Sequence, residues 1–414
     1  MTKIPFYKPS LDESEIQEVV DTLKSGWLTT GQKTKQFERD FGSYIRQPHA
    51  IALNSCTAAL HLALEAIGIK AGDGVVVPTM TFAATAEVAR YLGAIPLLVD
   101  CRESDFNLDV QDADRRIQAA LARGQNVRAI IPVHYAGQVG DVAGYRDLAK
   151  RYDLKIVEDA AHCCPAFYRE EAGATAGDVT DRASSSAERI AAGWQPVGTS
   201  ADISCFSFYA NKCITTGEGG MACTANDAYA DRMRIMSLHG ISRDAWKRYT
   251  GEGNWYYEII APGYKYNLTD VASAIGLHQL RKADALHRRR SEIAEMYRRR
   301  LERVEELVLP KVEPHRIHSW HLYVLRLKLS KLSINRTDFV AELTKMGIGI
   351  SVHYTPLHMH PYYREVFGYQ PSDLPCMQRV YDEIFTLPLF PDLTEAEINR
   401  ICDSVESLIS RHLK

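Results

Sequence analysis

The chain has 414 residues, 46% of them hydrophobic, a formal net charge of −3 at pH 7 and nine cysteines. That length and apolar content support one large and one smaller domain with buried cores, and the near-neutral charge excludes a broadly basic nucleic-acid surface. An odd number of unevenly spaced cysteines suits a reducing compartment. The first residues lack the apolar core of a secretory signal and no run is long enough to span a bilayer, so a cytoplasmic protein with no membrane partner is expected.

The first marked segment is the turn-like Gly26-Trp27-Leu28-Thr29-Thr30-Gly31. Residues 50–53 then read as a strand, Asn54-Ser55-Cys56-Thr57 as a short polar turn, and the residues from Ala58 onward as a helix of good formers. Ser55 and Thr57 at that helix start read first as an ordinary N-cap, the commoner use of such residues, and secondly, with the free backbone amides, as a cradle for a phosphate. Short apolar strands at 74–77, 95–100 and 129–133 alternate with helical segments. This pattern predicts an α/β fold with a mainly parallel sheet covered on both faces and functional side chains at the strands' carboxyl ends. Phe82 lies between the second strand and its helix, where an aromatic is often a core residue.

Residues 154–157 form an apolar run that ends in Glu158, Asp159 and His162, as a buried parallel strand does when its carboxyl end carries function. An Ala/Gly/Ser-rich, charged stretch follows, at about 168–197. It predicts an exposed, mobile insertion, either passive or a lid over the mouth of a site. Ser204-Cys205-Phe206-Ser207-Phe208-Tyr209-Ala210-Asn211-Lys212 then leads into the glycine-rich Gly217-Glu218-Gly219-Gly220. A lysine between an aromatic, β-prone run and a tight turn is placed for Schiff-base chemistry, although a loop lysine is the commoner fate of that residue type.

A helical stretch from 271 to about 306 is expected to link the large domain, residues 1–270, to a small C-terminal α/β domain, residues 307–414, with a strand over 320–329. The arginine runs 288–290 and 298–300 read as a solvated helix face. His162-Cys163-Cys164 has no second ligand pair at zinc spacing, and His353, His358 and His360 are spread around Pro356, so no metal is expected.

An anion cradle, a buried acid at a strand end and a lysine in a turn together match pyridoxal 5′-phosphate, which needs an anchor, a partner for its pyridine nitrogen and an amine. Six ordered blocks also resemble the DegT/DnrJ/EryC1/StrS family of fold-type I sugar aminotransferases. They are the 26–31 turn, Asn54-Ser55-Cys56-Thr57-Ala58-Ala59-Leu60, Glu158-Asp159-Ala160-Ala161-His162, the Lys212 segment, Gly263-Tyr264-Lys265-Tyr266-Asn267-Leu268-Thr269-Asp270 and Trp320-His321-Leu322-Tyr323. The form of the fifth block is closest to the branch that aminates C4 of nucleotide-linked keto sugars. A sugar 3-aminotransferase, a cyclitol aminotransferase and a non-catalytic relative of the same fold are the alternatives.

The resemblance implies roles for these residues. Lys212 is the amine of an internal aldimine and the proton-moving group. Asp159 pairs with the ring nitrogen, Phe82 stacks on the ring, and Ser55, the Cys56 amide, Thr57 and Ser207 hold the phosphate. His162, where many relatives have glutamine, donates to the phenolic oxygen or is structural. Lys265 and Asn267 reach the neighbouring subunit's phosphate in a homodimer or sit as interface residues. Trp27, Leu28 and Thr29 lie near the sugar, with His321, Tyr323, His353 and Tyr354 as further candidates for the nucleotide or a partner's site. L-Glutamate is the implied donor and a nucleoside-diphosphate keto sugar the acceptor.

Overall fold

The computed structural model describes residues 3–170, 184–242 and 257–414. Its strands are β1 (His49–Leu53), β2 (Gly74–Pro78), β3 (Ile95–Val99), β4 (Val127–Ile130), β5 (Lys155–Asp159), β6 (Phe167–Tyr168), β7 (Gln195–Pro196), β8 (Ile203–Ser207), β9 (Gly220–Thr224), β10 (Leu307–Val308), β11 (Arg316–Ile317), β12 (Tyr323–Leu327) and β13 (Ile384–Leu387). Seven of them form the central sheet in the order β1-β9-β8-β5-β4-β2-β3. β9 runs antiparallel to β1 and β8, and every other pairing in this sheet is parallel.

β2, β8 and β9 are buried along their whole length, which explains their unbroken apolar character: helices cover both faces. On one face the helices Cys56–Ala66 and Ala84–Tyr91 pack Leu60, Leu64, Val88 and Ala89 against Val75, Val77 and Val157. On the other face Phe37 and Phe41, from the helix Gln32–Ile45, form an edge-to-face cluster with Phe206 and Phe208. Because all but β9 point the same way, the residues after β2, β4, β5 and β8 emerge along one rim.

The long helix spans Asp270–Leu301. Its last turns pack Ile293, Tyr297 and Leu301 into a second core with Leu325, Phe339, Phe385 and Val405, over the antiparallel sheet β10-β12-β13. Ile4 is buried in this second core and bridges Ile348, although the sequence grouped the first residues with the large domain. In return Leu357, Tyr363 and Leu374 pack on the large core, so the chain crosses between the two units more often than a single linking helix requires.

The insertion differs most from expectation. Phe167 and Tyr168 are 1% exposed, and β6 pairs with β7 and with β11 in a small three-stranded sheet. The helix Ser186–Ala191 carries a Ser185/Glu188 capping box and docks on the long helix: Ser186 N–H donates to Asp284 at 3.0 Å. Phe167, Trp194 and Ile317 supply a local apolar cluster that the surrounding polar composition concealed. The expected mobile stretch is therefore a docked element at both ends; its centre, residues 171–183, lies outside the described residues, and with it the expectation of a lid.

Candidate active site

The polar turn after β1 is built as a helix start. The helix begins at Cys56 rather than Ala58, and the Ser55 hydroxyl accepts the Ala58 N–H at 3.0 Å, an N-cap. The Cys56 and Thr57 amides are the first two of this helix, positions that have no acceptor within it, so capping and anion binding are compatible here. Gly220, at the start of β9, lies against the Ser55–Cys56 peptide so closely that any side chain would collide with it. Ser207, at the end of β8, is buried and its hydroxyl accepts the Tyr209 N–H at 3.3 Å.

Asp159 ends β5, 4% exposed. Thr85 Oγ1 donates to one carboxylate oxygen at 2.8 Å and the Ala161 N–H to the other at 3.1 Å. Burial pushes this carboxyl above the usual range, against both hydrogen bonds and the Lys212 charge. Lys212, in the loop after β8, is half-buried. Burial pushes its amine below the ordinary lysine range, and Asp159 opposes that shift. The Cys56 thiol feels both groups: burial and Asp159 raise it, and Lys212 lowers it. The turn, the acid and the amine thus converge on one rim of the sheet.

Two histidines line this convergence. His162 Nδ1 accepts the Ala136 N–H at 3.1 Å, which places its proton on Nε2, and Nε2 is 3.1 Å from the Tyr354 hydroxyl. Both ring nitrogens of His162 are therefore engaged within the chain. The Tyr354 ring also lies 5.9 Å from that of Phe82. Phe82 is 61% exposed, with its ring open for stacking. His321 Nε2 is 3.5 Å from Lys212 Nζ, and its ring packs on His162 with centroids 4.4 Å apart.

Other expected residues fall elsewhere. Tyr323 is buried in the second core against Tyr297 and Trp320, so its hydroxyphenyl ring is packing and not a site group. His353 stacks on Phe6 and holds Thr386 at 3.0 Å through Nδ1, behind Tyr354. Trp27, Leu28 and Thr29 form an exposed turn anchored by the Trp27 indole on the Thr30 carbonyl and by the Asp270 N–H on the Thr29 carbonyl. Lys265 and Asn267 flank this chain's own phosphate turn: the Asn54 N–H donates to Tyr266 O at 2.7 Å, and Lys265 Nζ reaches Asn267 at 2.6 Å. Thr85 was missed in the sequence, although it lies three residues beyond Phe82, at the start of the helix after β2. Among the described residues no three His, Cys, Asp or Glu side chains gather as a metal site, and no helix is long and apolar enough to cross a membrane.

The residues fit pyridoxal phosphate: an anion turn that excludes a side chain at Gly220, a buried acid, an exposed aromatic and an amine with a depressed pKa. Fold and site together define a fold-type I pyridoxal phosphate-dependent aminotransferase. More narrowly, the chain belongs to the DegT/DnrJ/EryC1/StrS aminotransferase family, whose model matches residues 9–406. It is 44% identical to the uncharacterized protein MJ1066 of Methanocaldococcus jannaschii, over 99% of this chain and 98% of that one. It is 37% identical to the spore coat polysaccharide biosynthesis protein SpsC of Bacillus subtilis, over 98% of this chain and 97% of SpsC. The fold superposes with a TM-score of 0.86 on Spr1654 from Streptococcus pneumoniae, described as a sugar aminotransferase in its PMP form. That protein is 32% identical, with 99% of each chain covered.

Proposed function

We propose that this enzyme moves an amino group from L-glutamate to the keto group, at C4, of a sugar linked to a nucleoside diphosphate, using pyridoxal phosphate held by Lys212. The observation that carries the reading is the convergence of Asp159, at the end of β5, and Lys212, in the loop that follows the neighbouring β8, beside the amides that open the Cys56–Ala66 helix. When bound, the cofactor carries the amino group between the two substrates and takes up the electron pair of the broken C–H bond. Asp159 holds a proton on the ring nitrogen, Phe82 covers a ring face, and the Ser55, Thr57 and Ser207 hydroxyls with the Cys56 amide bind the phosphate. Lys212, as a free amine, moves the proton at the reacting carbon. The likeness to SpsC and to Spr1654 supports a sugar as the acceptor.

Exposed Lys265 and half-buried Asn267, with exposed Tyr257, Ile259 and Ile260 on the same stretch of chain, support a homodimer in which this edge reaches the partner's phosphate. The test is an absorbance spectrum with added pyridoxal phosphate, then L-glutamate, then a panel of nucleotide keto sugars. A yellow band that glutamate bleaches and a 4-keto sugar restores is expected. A Lys212→Ala variant should form no borohydride-reducible adduct. A band that glutamate never bleaches would instead favour the non-catalytic relative.

A further inference from the structure

We propose that His321 is a positioning residue: a neutral hydrogen-bond acceptor that aims the Lys212 amine without binding it as an ion pair. The inference rests on the reading of Lys212 as the reactive amine. Its geometric basis is the 3.5 Å approach of His321 Nε2 to Lys212 Nζ, the outer limit of a hydrogen bond, in a ring 3% exposed. With Lys212 as the donor, a role open to both its ammonium and its free amine, Nε2 accepts and the ring proton sits on Nδ1. That Nδ1 is sealed from solvent and has no partner. Such a group costs stability, and one beside a reactive amine calls for a functional explanation.

The ring is braced by a neighbour and by the turn that carries it. His162 packs against it at 4.4 Å. The turn before it is tied down where Ser319 Oγ donates to the His162 carbonyl, the Cys213 thiol reaches the Ser319 carbonyl, and Arg290 holds the Trp320 carbonyl at 3.3 Å. Cys213 directly follows Lys212, so one short turn braces both members of the pair.

The charge logic explains why an imidazole stands here. The ionisable groups around the pair are Asp159, Cys56 and Cys213 on the lysine side and His162, His353 and Arg290 on the histidine side. Burial, with the Lys212 and Arg290 charges, keeps His321 well below the usual histidine range, so it is neutral at neutral pH. A carboxylate in its place would hold Lys212 as an ammonium, whose nitrogen has no lone pair for attack. A neutral acceptor orients Nζ and favours the ammonium far less than a carboxylate would; the proton is shared in a hydrogen bond and not transferred.

Competitive acetylation of Lys212 across pH, read by peptide mass spectrometry on the cofactor-free protein, measures this without cofactor or turnover. His321→Glu should slow labelling at pH 8 at least about tenfold, the consequence of a one-unit rise in pKa. His321→Gln, which keeps a neutral acceptor, should label within about threefold of the unsubstituted protein. In the loaded enzyme His321→Leu should slow the glutamate half-reaction roughly tenfold to hundredfold while His321→Gln restores most of it. Unchanged labelling in His321→Glu, or an unchanged half-reaction in His321→Leu, overturns the proposal. Circular dichroism selects folded variants, and the Gln and Leu pair decides the matter if the Glu variant does not fold. A reducible adduct in Lys212→Ala would sink the Lys212 reading separately.

Discussion

At the scale of single residues, the site is a set of side chains whose hydrogen-bonding states are forced by their neighbours. His162 shows this best. The Ala136 amide can only donate, so Nδ1 accepts, Nε2 carries the proton, and the Tyr354 oxygen receives it, which leaves the phenolic hydrogen for a ligand. Burial holds the Tyr354 hydroxyl well above its ordinary pKa, so it remains a donor throughout the working range. Tyr354→Phe removes the acceptor and strands a buried N–H. Stability should fall by about 1–3 kcal/mol, and cofactor affinity should fall several-fold. A urea titration and a cofactor titration followed by absorbance check the two effects, and wild-type values in both would show that His162 finds another partner. Lys212 and Asp159 were legible in the sequence because each stands alone in a distinctive local block. The His321–Lys212 contact was not, because 109 residues separate its members and only the packing of two turns brings them together.

At the scale of elements, the strands of the central sheet were readable because burial on both faces demands unbroken apolar runs, and the long helix because its apolar positions recur along 32 residues. The strand expected over 320–329 is observed as β12, Tyr323–Leu327, because residues 318–321 form a turn whose carbonyls and side chains brace the site. The insertion was unreadable for a compositional reason: its anchors Phe167, Trp194 and Arg189 are few among many small polar residues. Arg189 is 4% exposed, lies over the Phe167 ring at 5.4 Å and approaches His287 Nδ1 at 3.2 Å, while His287 Nε2 donates to the His318 carbonyl at 2.9 Å. The insertion helix is thereby tied to the turn that carries His321. Arg189→Met keeps the packing stem but leaves the His287 acceptor without this donor. A loss of about 1–3 kcal/mol is expected as a lower urea midpoint at unchanged slope. A midpoint that does not move would show that the helix docks through Ser186 and Asp284 alone.

At the scale of the whole molecule, the chain buries several imidazoles whose pKa values are lowered, and this sets its response to acid. Burial pushes His353 and His318 down to about 3 and His287 to about 4, and holds His162 and His321 well below the ordinary value. For a group depressed on folding, the stabilisation is complete above the unfolded pKa, near 6.5, and is lost as pH falls toward the folded value, because the unfolded chain binds protons that the native chain refuses. Each such histidine removes at most about 1.4 kcal/mol per pH unit below about 6.5. Asp159, Glu38 and Asp100 act in the opposite sense, since burial raises each of them and the native state then binds the extra proton; their window opens nearer the carboxylate range and offsets the loss only at lower pH. The cofactor-free protein should therefore lose several kcal/mol between pH 7.5 and pH 5.5, read as a falling urea midpoint. A midpoint that holds constant over that interval would mean that these histidines reach solvent in the native state. In that case His321 could not remain the neutral partner of Lys212 at the acid end of the range, so the stability profile also tests the electrostatic setting of the site.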